Sequence, residues 1–238
     1  MKVFNRNNIL LIVALACTIG LMAFASMHKN DFKTHLEIQI TNNEFQYFLT
    51  EQDLMNRVTS LYDSIENVPI EEINIAMLED TLESLTYVEN AEVFSTLDGK
   101  LSIVVNQNKA IARIYDGNNH YYLNSKGETM PLSRNYSAMV PLVTGNVKQE
   151  QLQYTHQLLL KSINDPFYHN IITGIDYKTD DIKIYTALGK HQITWGDTTA
   201  TSTKMEKLKL FYQSLEEDEL KSLKTVNVTF KDQVVFTN

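Results

Sequence analysis

Tyr87-Val88-Glu89-Asn90-Ala91-Glu92-Val93-Phe94-Ser95-Thr96, then Leu97-Asp98-Gly99, then Lys100-Leu101-Ser102-Ile103-Val104-Val105-Asn106 is the stretch whose reading decides the fold. Two strand-like runs flank a short turn, in which glycine takes the left-handed conformation that a tight hairpin needs. Two amphipathic helices precede this hairpin. Asn74 can cap the nearer one, whose apolar face is Ile75, Leu78, Leu82 and Leu85, with Glu79, Asp80 and Glu83 toward water. The other starts at Thr50-Glu51-Gln52-Asp53, carries Leu54, Val58, Leu61 and Ile65, and is closed by Pro69. Before it, His35 to Thr41 alternates, with Leu36, Ile38 and Ile40 on one side, and reads as a half-buried strand broken by Asn42-Asn43. The order strand, helix, helix, strand, strand predicts two helices on a three-stranded sheet over residues 34–106.

Further toward the N-terminus, Ile9 to Met27 holds nineteen residues without a charge. As a helix this run spans about 28 Å, close to a bilayer core of about 30 Å. Lys2 and Arg6 precede it, which makes residues 1–8 a short cytoplasmic tail by the positive-inside rule, though Lys29 and Lys33 follow on the other side. A cleaved signal peptide competes with an anchor, since Ala23-Phe24-Ala25 before Ser26 fits a small-residue cleavage site. The length of the apolar stretch exceeds the usual signal-peptide core of about 7 to 15 residues and favours an uncleaved anchor over 9–27. Lipid attachment at Cys17 fits poorly, because a greasy run follows it where a polar tether belongs.

Cys17 is the only cysteine, so the chain from Ser26 onward has neither disulfide nor thiolate chemistry. All 29 acidic residues follow the apolar run while Lys2 and Arg6 precede it, leaving a body of charge about −10 that repels nucleic acid and anionic lipid. Hydrophobic residues at 43% and charged residues at 21% are those of a folded protein.

Working toward the C-terminus, 107–238 reads as a mostly antiparallel β domain with helices, so the whole is α+β. Ile111 to Tyr115, Tyr121 to Asn124 and Glu128 to Leu132 are short strands, the last two joined by Asn124-Ser125-Lys126-Gly127 as a hairpin with Gly127 at positive φ. A third helix carries Leu152, His156, Leu159 and Ile163. Ile171 to Tyr177, Ile182 to Thr186 and His191 to Trp195 follow as a meander, with turn signals at Asp180-Asp181 and Gly189-Lys190. A fourth helix begins at Ser202-Thr203 with Glu206 completing a capping box, and turns Met205, Leu208, Tyr212 and Leu215 inward. Glu216-Glu217-Asp218-Glu219 reads as a solvated turn. The chain closes with Thr225 to Phe230, in which Val226, Val228 and Phe230 face the core, and then Gln233 to Thr237.

Catalytic constellations are not evident. His28, His35, His120, His156, His169 and His191 are scattered without metal-ligand spacing, and His156 on an apolar helix face reads as a core histidine with a hydrogen-bonded ring nitrogen. There is no nucleophile elbow, no P-loop and no dinucleotide fingerprint. The Asp180 and Asp181 pair is explained by its turn. Trp195 and Tyr121-Tyr122 could line a groove, but aromatics at strand spacing read first as core. No enzyme activity, cofactor, metal or small-molecule substrate is expected.

Several motifs together carry a family resemblance: Leu78-Glu79, Tyr87-Val88-Glu89-Asn90-Ala91-Glu92-Val93, Asp98-Gly99-Lys100-Leu101, and Ile111-Ala112-Arg113-Ile114. Tyr121 through Leu132 and Val140-Pro141-Leu142-Val143-Thr144-Gly145 continue it in order. The chain resembles the FtsQ (DivIB) family of bacterial cell division proteins, over about three quarters of its length. It departs where the family tends to show an Asp-Leu-Arg-Tyr-like strand and Asn227-Val228-Thr229-Phe230 stands instead. The resemblance implies a POTRA module over 34–106 and a single-pass inner-membrane protein at the division site, working through its periplasmic part. It further implies a scaffold that links early division proteins to the FtsB-FtsL pair and septal wall synthesis. By the same resemblance the partner surface is expected at Val226-Asn227-Val228-Thr229-Phe230-Lys231-Asp232-Gln233-Val234-Val235, a terminal strand able to accept a partner by β-augmentation. The competing expectation at that place is an edge covered by Gln233 to Thr237 folding back. The competing function is a secreted or periplasmic ligand-binding protein released after Ala25.

Overall fold

A computed structural model describes residues 6–28, 34–41, 46–96, 99–169, 171–178, 181–189 and 191–238. The turn residues Leu97, Asp98, Asp180 and Lys190 and the break at Asn42-Asn43 lie outside the described residues. The chain divides into two units, one of residues 1–41 and 50–106 and one of residues 42–49 and 107–238.

The first unit opens with helix α1 (Arg6–His28), whose 23 residues take in the Ile9 to Met27 run. Its side chains are described from Leu10 to Phe24 and are exposed all round, Leu11 at 69% and Met22 at 73%. Among the described residues no helix is long and apolar enough to cross a membrane.

Strand β1 (His35–Thr41) alternates as its sequence predicts, with Leu36, Ile38 and Ile40 half-buried. Helix α2 (Glu51–Thr59) begins with a reciprocal cap: Asp53 N–H donates to Thr50 Oγ1 at 3.2 Å, and Thr50 N–H donates to Asp53 Oδ2 at 2.9 Å. The helix does not run to Ile65. The Thr59 and Ser60 hydroxyls donate to the Asn56 and Arg57 carbonyls and end it, and two 3-10 turns at Ile65–Asn67 and Ile70–Glu72 follow. Ile65 still reaches the core, from a turn rather than from the helix face.

Helix α3 (Ile75–Glu83) is capped by Asn74, which accepts from Met77 N–H at 3.0 Å, and it buries Leu78 and Leu82 completely. Leu85, beyond its end, is only half-buried. Strands β2 (Val88–Ser95) and β3 (Lys100–Gln107) complete a three-stranded sheet of order β1-β3-β2, in which β1 and β3 run parallel. Gly99 has φ 83° beside the turn.

The second unit is built on a nine-stranded mixed sheet, among the described residues, of order β12-β11-β10-β9-β8-β7-β4-β5-β6. Its strands are β4 (Ala110–Tyr115), β5 (His120–Asn124), β6 (Thr129–Pro131), β7 (Leu142–Gly145), β8 (Ile172–Tyr177), β9 (Ile182–Thr186), β10 (Gln192–Gly196), β11 (Thr225–Asn227) and β12 (Val235–Thr237). The pairs β4/β7, β7/β8 and β10/β11 are parallel and the other five antiparallel. The register sets Ile114, Val143, Ile175, Ile184, Ile193 and Val226 in one row, and all six are buried in the core. Helix α4 (Gln149–Asn164) adds Leu152, Leu158 and Leu159 to that core, and α5 (Thr201–Ser214) adds Met205, Leu208 and Tyr212.

Two local expectations change here. The capping box at Thr203 and Glu206 is not used, because the cap lies three residues earlier, at Ala200 in the left-handed region at φ 51°, and Thr203 is already inside α5. The acidic run is not a turn but the start of a short helix, α6 (Glu217–Ser222), where Glu216 and Glu219 cap each other and three carboxylates sit in the first turn, where the helix dipole favours them.

One connection belongs to the unit it does not border in sequence. Gln46 to Leu49, between β1 and α2, is part of the second unit. The Gln46 amide pairs with both backbone groups of Ala110, accepting from its N–H at 2.9 Å and donating to its carbonyl at 3.1 Å. Gln107 answers by accepting from Leu49 N–H at 2.7 Å. Phe48 is fully buried, its ring centre 5.5 Å from that of Tyr122 and 5.6 Å from that of Tyr136.

Candidate partner-binding edge

β11 reaches its place by parallel pairing of Thr225, Val226 and Asn227 with Gln192, Ile193 and Thr194 of β10. Val228 N–H extends the ladder by donating to Thr194 O at 3.2 Å, and Val226 and Val228 are fully buried as expected. The extended run stops there. Asn227 Oδ1 accepts from Thr229 N–H at 2.9 Å and from Thr229 Oγ1 at 2.8 Å, an Asx turn that takes the backbone out of the sheet.

Phe230, expected in the core, is therefore 45% exposed. Lys231, Asp232 and Gln233 are exposed in the return, and Val234 packs partly against the core. Val235, Phe236 and Thr237 then fold back as β12, opposite Asn227, Val226 and Thr225. β11 is thus an inner strand, and the outermost strand at this end of the sheet is β12. The Thr225 and Thr237 hydroxyls lie 2.7 Å apart across the pair, Lys224 N–H donates to Thr237 O at 2.9 Å, and the Phe236 ring stands 5.3 Å from Phe211.

The turn between β11 and β12 is held from α5. Lys207 Nζ donates to the carbonyls of Val228 at 3.0 Å, Lys231 at 3.3 Å and Phe230 more closely still. Gly196, at φ 77°, lets the turn approach β10, since a Cβ there would stand 2.7 Å from Thr229 Cγ2. The corner after Gly196 is pinned by nearly buried Lys204, whose ammonium donates to Asp197 Oδ1 at 2.8 Å and Asp197 O at 2.9 Å. Bonds from Lys204 and Thr199 hold the Asp197 carboxyl well below the usual range.

Two other sheet edges, β6 and β2, are less open. At the far end of the large sheet, β6 carries Pro131 within three residues. On β2, Ala91 N–H donates to Glu83 Oε1 at 3.1 Å and Val93 N–H to Glu79 Oε1 at 2.8 Å. These two carboxylates, read from sequence as facing water, occupy the edge of the first sheet, because positions four apart on α3 lie over alternate amides of β2.

The residues singled out for chemistry have structural surroundings. Trp195 is buried, with Nε1 donating to Tyr154 Oη at 2.6 Å, and Tyr122 Oη accepts from Ala138 N–H at 3.0 Å. His156 Nε2 lies 2.9 Å from Ser125 O and His169 Nδ1 3.0 Å from Ile163 O. Among the described residues no cluster of three His, Cys, Asp or Glu could hold a metal ion. Sequence reasoning missed Lys207 at this edge, whereas the competing expectation, a terminal strand covered by the fold-back of Gln233 to Thr237, is the arrangement observed for Val235 to Thr237. The Asn227-Val228-Thr229 spacing was the available signal for the turn.

Two helices on a three-stranded sheet, followed by a larger mixed sheet whose outermost strand at one end is β12, define an α+β protein of two successive modules. A POTRA-like domain model matches residues 33–106, and the model described as FtsQ/DivIB, C-terminal related, matches residues 109–237, more than half of the chain. The chain belongs to the FtsQ/DivIB family of bacterial cell division proteins. Among solved structures it is similar to the major extracytoplasmic domain of the trans isomer of the cell division protein DivIB from Geobacillus stearothermophilus. That likeness has 17% identity over 33% of this chain and 71% of the other, with a TM-score of 0.26. No curated protein matches the chain.

Proposed function

We propose that this chain is a non-enzymatic scaffold of the division machinery, anchored in the cytoplasmic membrane by Ile9 to Met27 and working outside it. In this reading it links early division proteins to the FtsB-FtsL pair and septal wall synthesis, and the docking edge is the outer strand β12 with the exposed turn Thr229 to Gln233 before it, in place of the expected Val226 to Val228, which lie on the inner strand β11 and its extension. The observation that carries it is the family match over 109–237 joined to an open strand at that end. An open strand presents unpaired N–H and C=O groups that an extended partner segment can join, and exposed Phe230, Val235 and Phe236 supply apolar contact beside it. The anchor rests on the uncharged run and the exposed apolar surface of α1.

Depletion with imaging tests the role: filaments or chains of undivided cells are expected, and normal division overturns it. Membrane fractions test the anchor. Protein that begins at Ser26 and washes off with salt would instead support the released ligand-binding protein. Pull-down of the FtsB-FtsL pair tests the edge, with full-length chain compared against a chain ending at Val234. Because β12 is exposed, the shortened chain should fold yet capture far less, and equal capture places the contact elsewhere.

A further inference from the structure

We propose that Lys207 is a positioning residue, whose ammonium gathers three carbonyls of the β11–β12 turn and so holds β12 in place as the outer strand. This rests on the reading of that edge as the docking surface. An ammonium has three N–H donors, and here three carbonyls, of Val228, Phe230 and Lys231, converge on it. Three backbone acceptors on one side chain fix a turn far more tightly than the Asx bonds of Asn227 alone, because each acceptor belongs to a different peptide plane.

The strand beyond this turn has little else to hold it. Among the described residues, β12 pairs with β11 over three residues, all exposed, and is tied to the rest of the fold by the Phe236–Phe211 contact, the Thr225–Thr237 hydroxyl pair, the bonds from Lys224 to Thr237 and Asn238, and the packing of Val234 just before it. A three-residue, exposed pairing at the end of a sheet belongs to the low-stability end of a fold. Lys207 lies on α5, whose Met205 and Leu208 are packed in the core, so the ammonium has a rigid base. The latch therefore sets which strand is offered to an incoming segment: closed, the edge is β12; open, it passes to β11.

Hydrogen exchange of the full chain tests the latch without reference to any partner. In Lys207→Met the amides of residues 230–237 should exchange about tenfold to a hundredfold faster, as loss of charge-assisted bonds implies, with β8 to β10 unchanged. Lys207→Arg, which keeps donors and charge, should restore most of the protection. Unchanged exchange in Lys207→Met overturns the latch, as does acceleration spread over the whole second unit, which marks a general loss of stability. Capture of the FtsB-FtsL pair is then compared among the same proteins. Weaker capture by Lys207→Met, recovered by Lys207→Arg, supports the positioning role, and equal capture by all three overturns it. If the unaltered chain captures nothing, the docking reading fails, while the exchange result still decides whether the latch exists.

Discussion

His191 is buried with its Nε2 2.5 Å from Tyr212 Oη, and its Nδ1 meets no partner among the described residues. Burial disfavours the imidazolium and lowers the pKa below the ordinary 6.5. The unfolded chain then binds the proton more readily than the folded one. Stability from this site is full above the ordinary value and falls as pH drops through it toward the folded value. Denaturant midpoints should decline between about pH 7 and pH 5, and His191→Gln should flatten that slope whatever it does to the midpoint at neutral pH. An unchanged slope would remove His191 from the account. Gly127 has φ 84°, and a Cβ there would approach the His156 ring to 3.3 Å, so Gly127→Val should cost about 1–3 kcal/mol from backbone strain before any clash. Unaltered thermal stability would mean the turn can rearrange. The hairpin and its glycine were legible because a tight turn leaves a local signature. The His191 environment was not, since Tyr212 comes from a helix 21 positions away.

At the scale of elements, apolar periodicity identified the faces of α3 and α5, and only part of that of α4, where His156 and Ile163 are half-buried and Tyr154, Thr155 and Leu158 are buried instead; nor did it show where α2 and β11 end. Both are cut short by side-chain bonds to nearby backbone, from Thr59 and Ser60 in one and to Asn227 in the other, which hydrophobic spacing cannot register. That is why Phe230 was misplaced, and with it the outer edge of the sheet. α3 offers two checks. Leu82 is completely buried, so Leu82→Ala should destabilise the first unit by about 2–5 kcal/mol in urea unfolding, and a negligible change would contradict its place in the core. Glu79 and Glu83 cover alternate amides of β2, so replacing both by alanine leaves that edge open to another chain. Sedimentation should then show concentration-dependent association that the unaltered protein lacks.

For the whole molecule, the sequence order pointed to two successive modules, and the family matches follow that order. What it did not reveal is that Gln46 to Leu49 belongs to the later unit, because four residues are too few to carry a period and their partners lie far along the chain. Phe48→Ala should therefore destabilise the second unit by about 3–5 kcal/mol while leaving the first unit's unfolding transition in place. Loss of the first transition instead would contradict the assignment. The same feature bears on the timing of synthesis. Leu49 leaves the ribosome 58 residues ahead of Gln107, the partner that holds its amide. At about 5 to 20 residues per second, that is a wait of about 3 to 12 seconds. During this interval α2 and α3 of the first unit can form, while Phe48 has no core to enter. The later unit must then reach back for a segment that the earlier one encloses on both sides in sequence, so until Gln107 and the residues after it are made, Phe48 remains an uncovered aromatic in the growing chain.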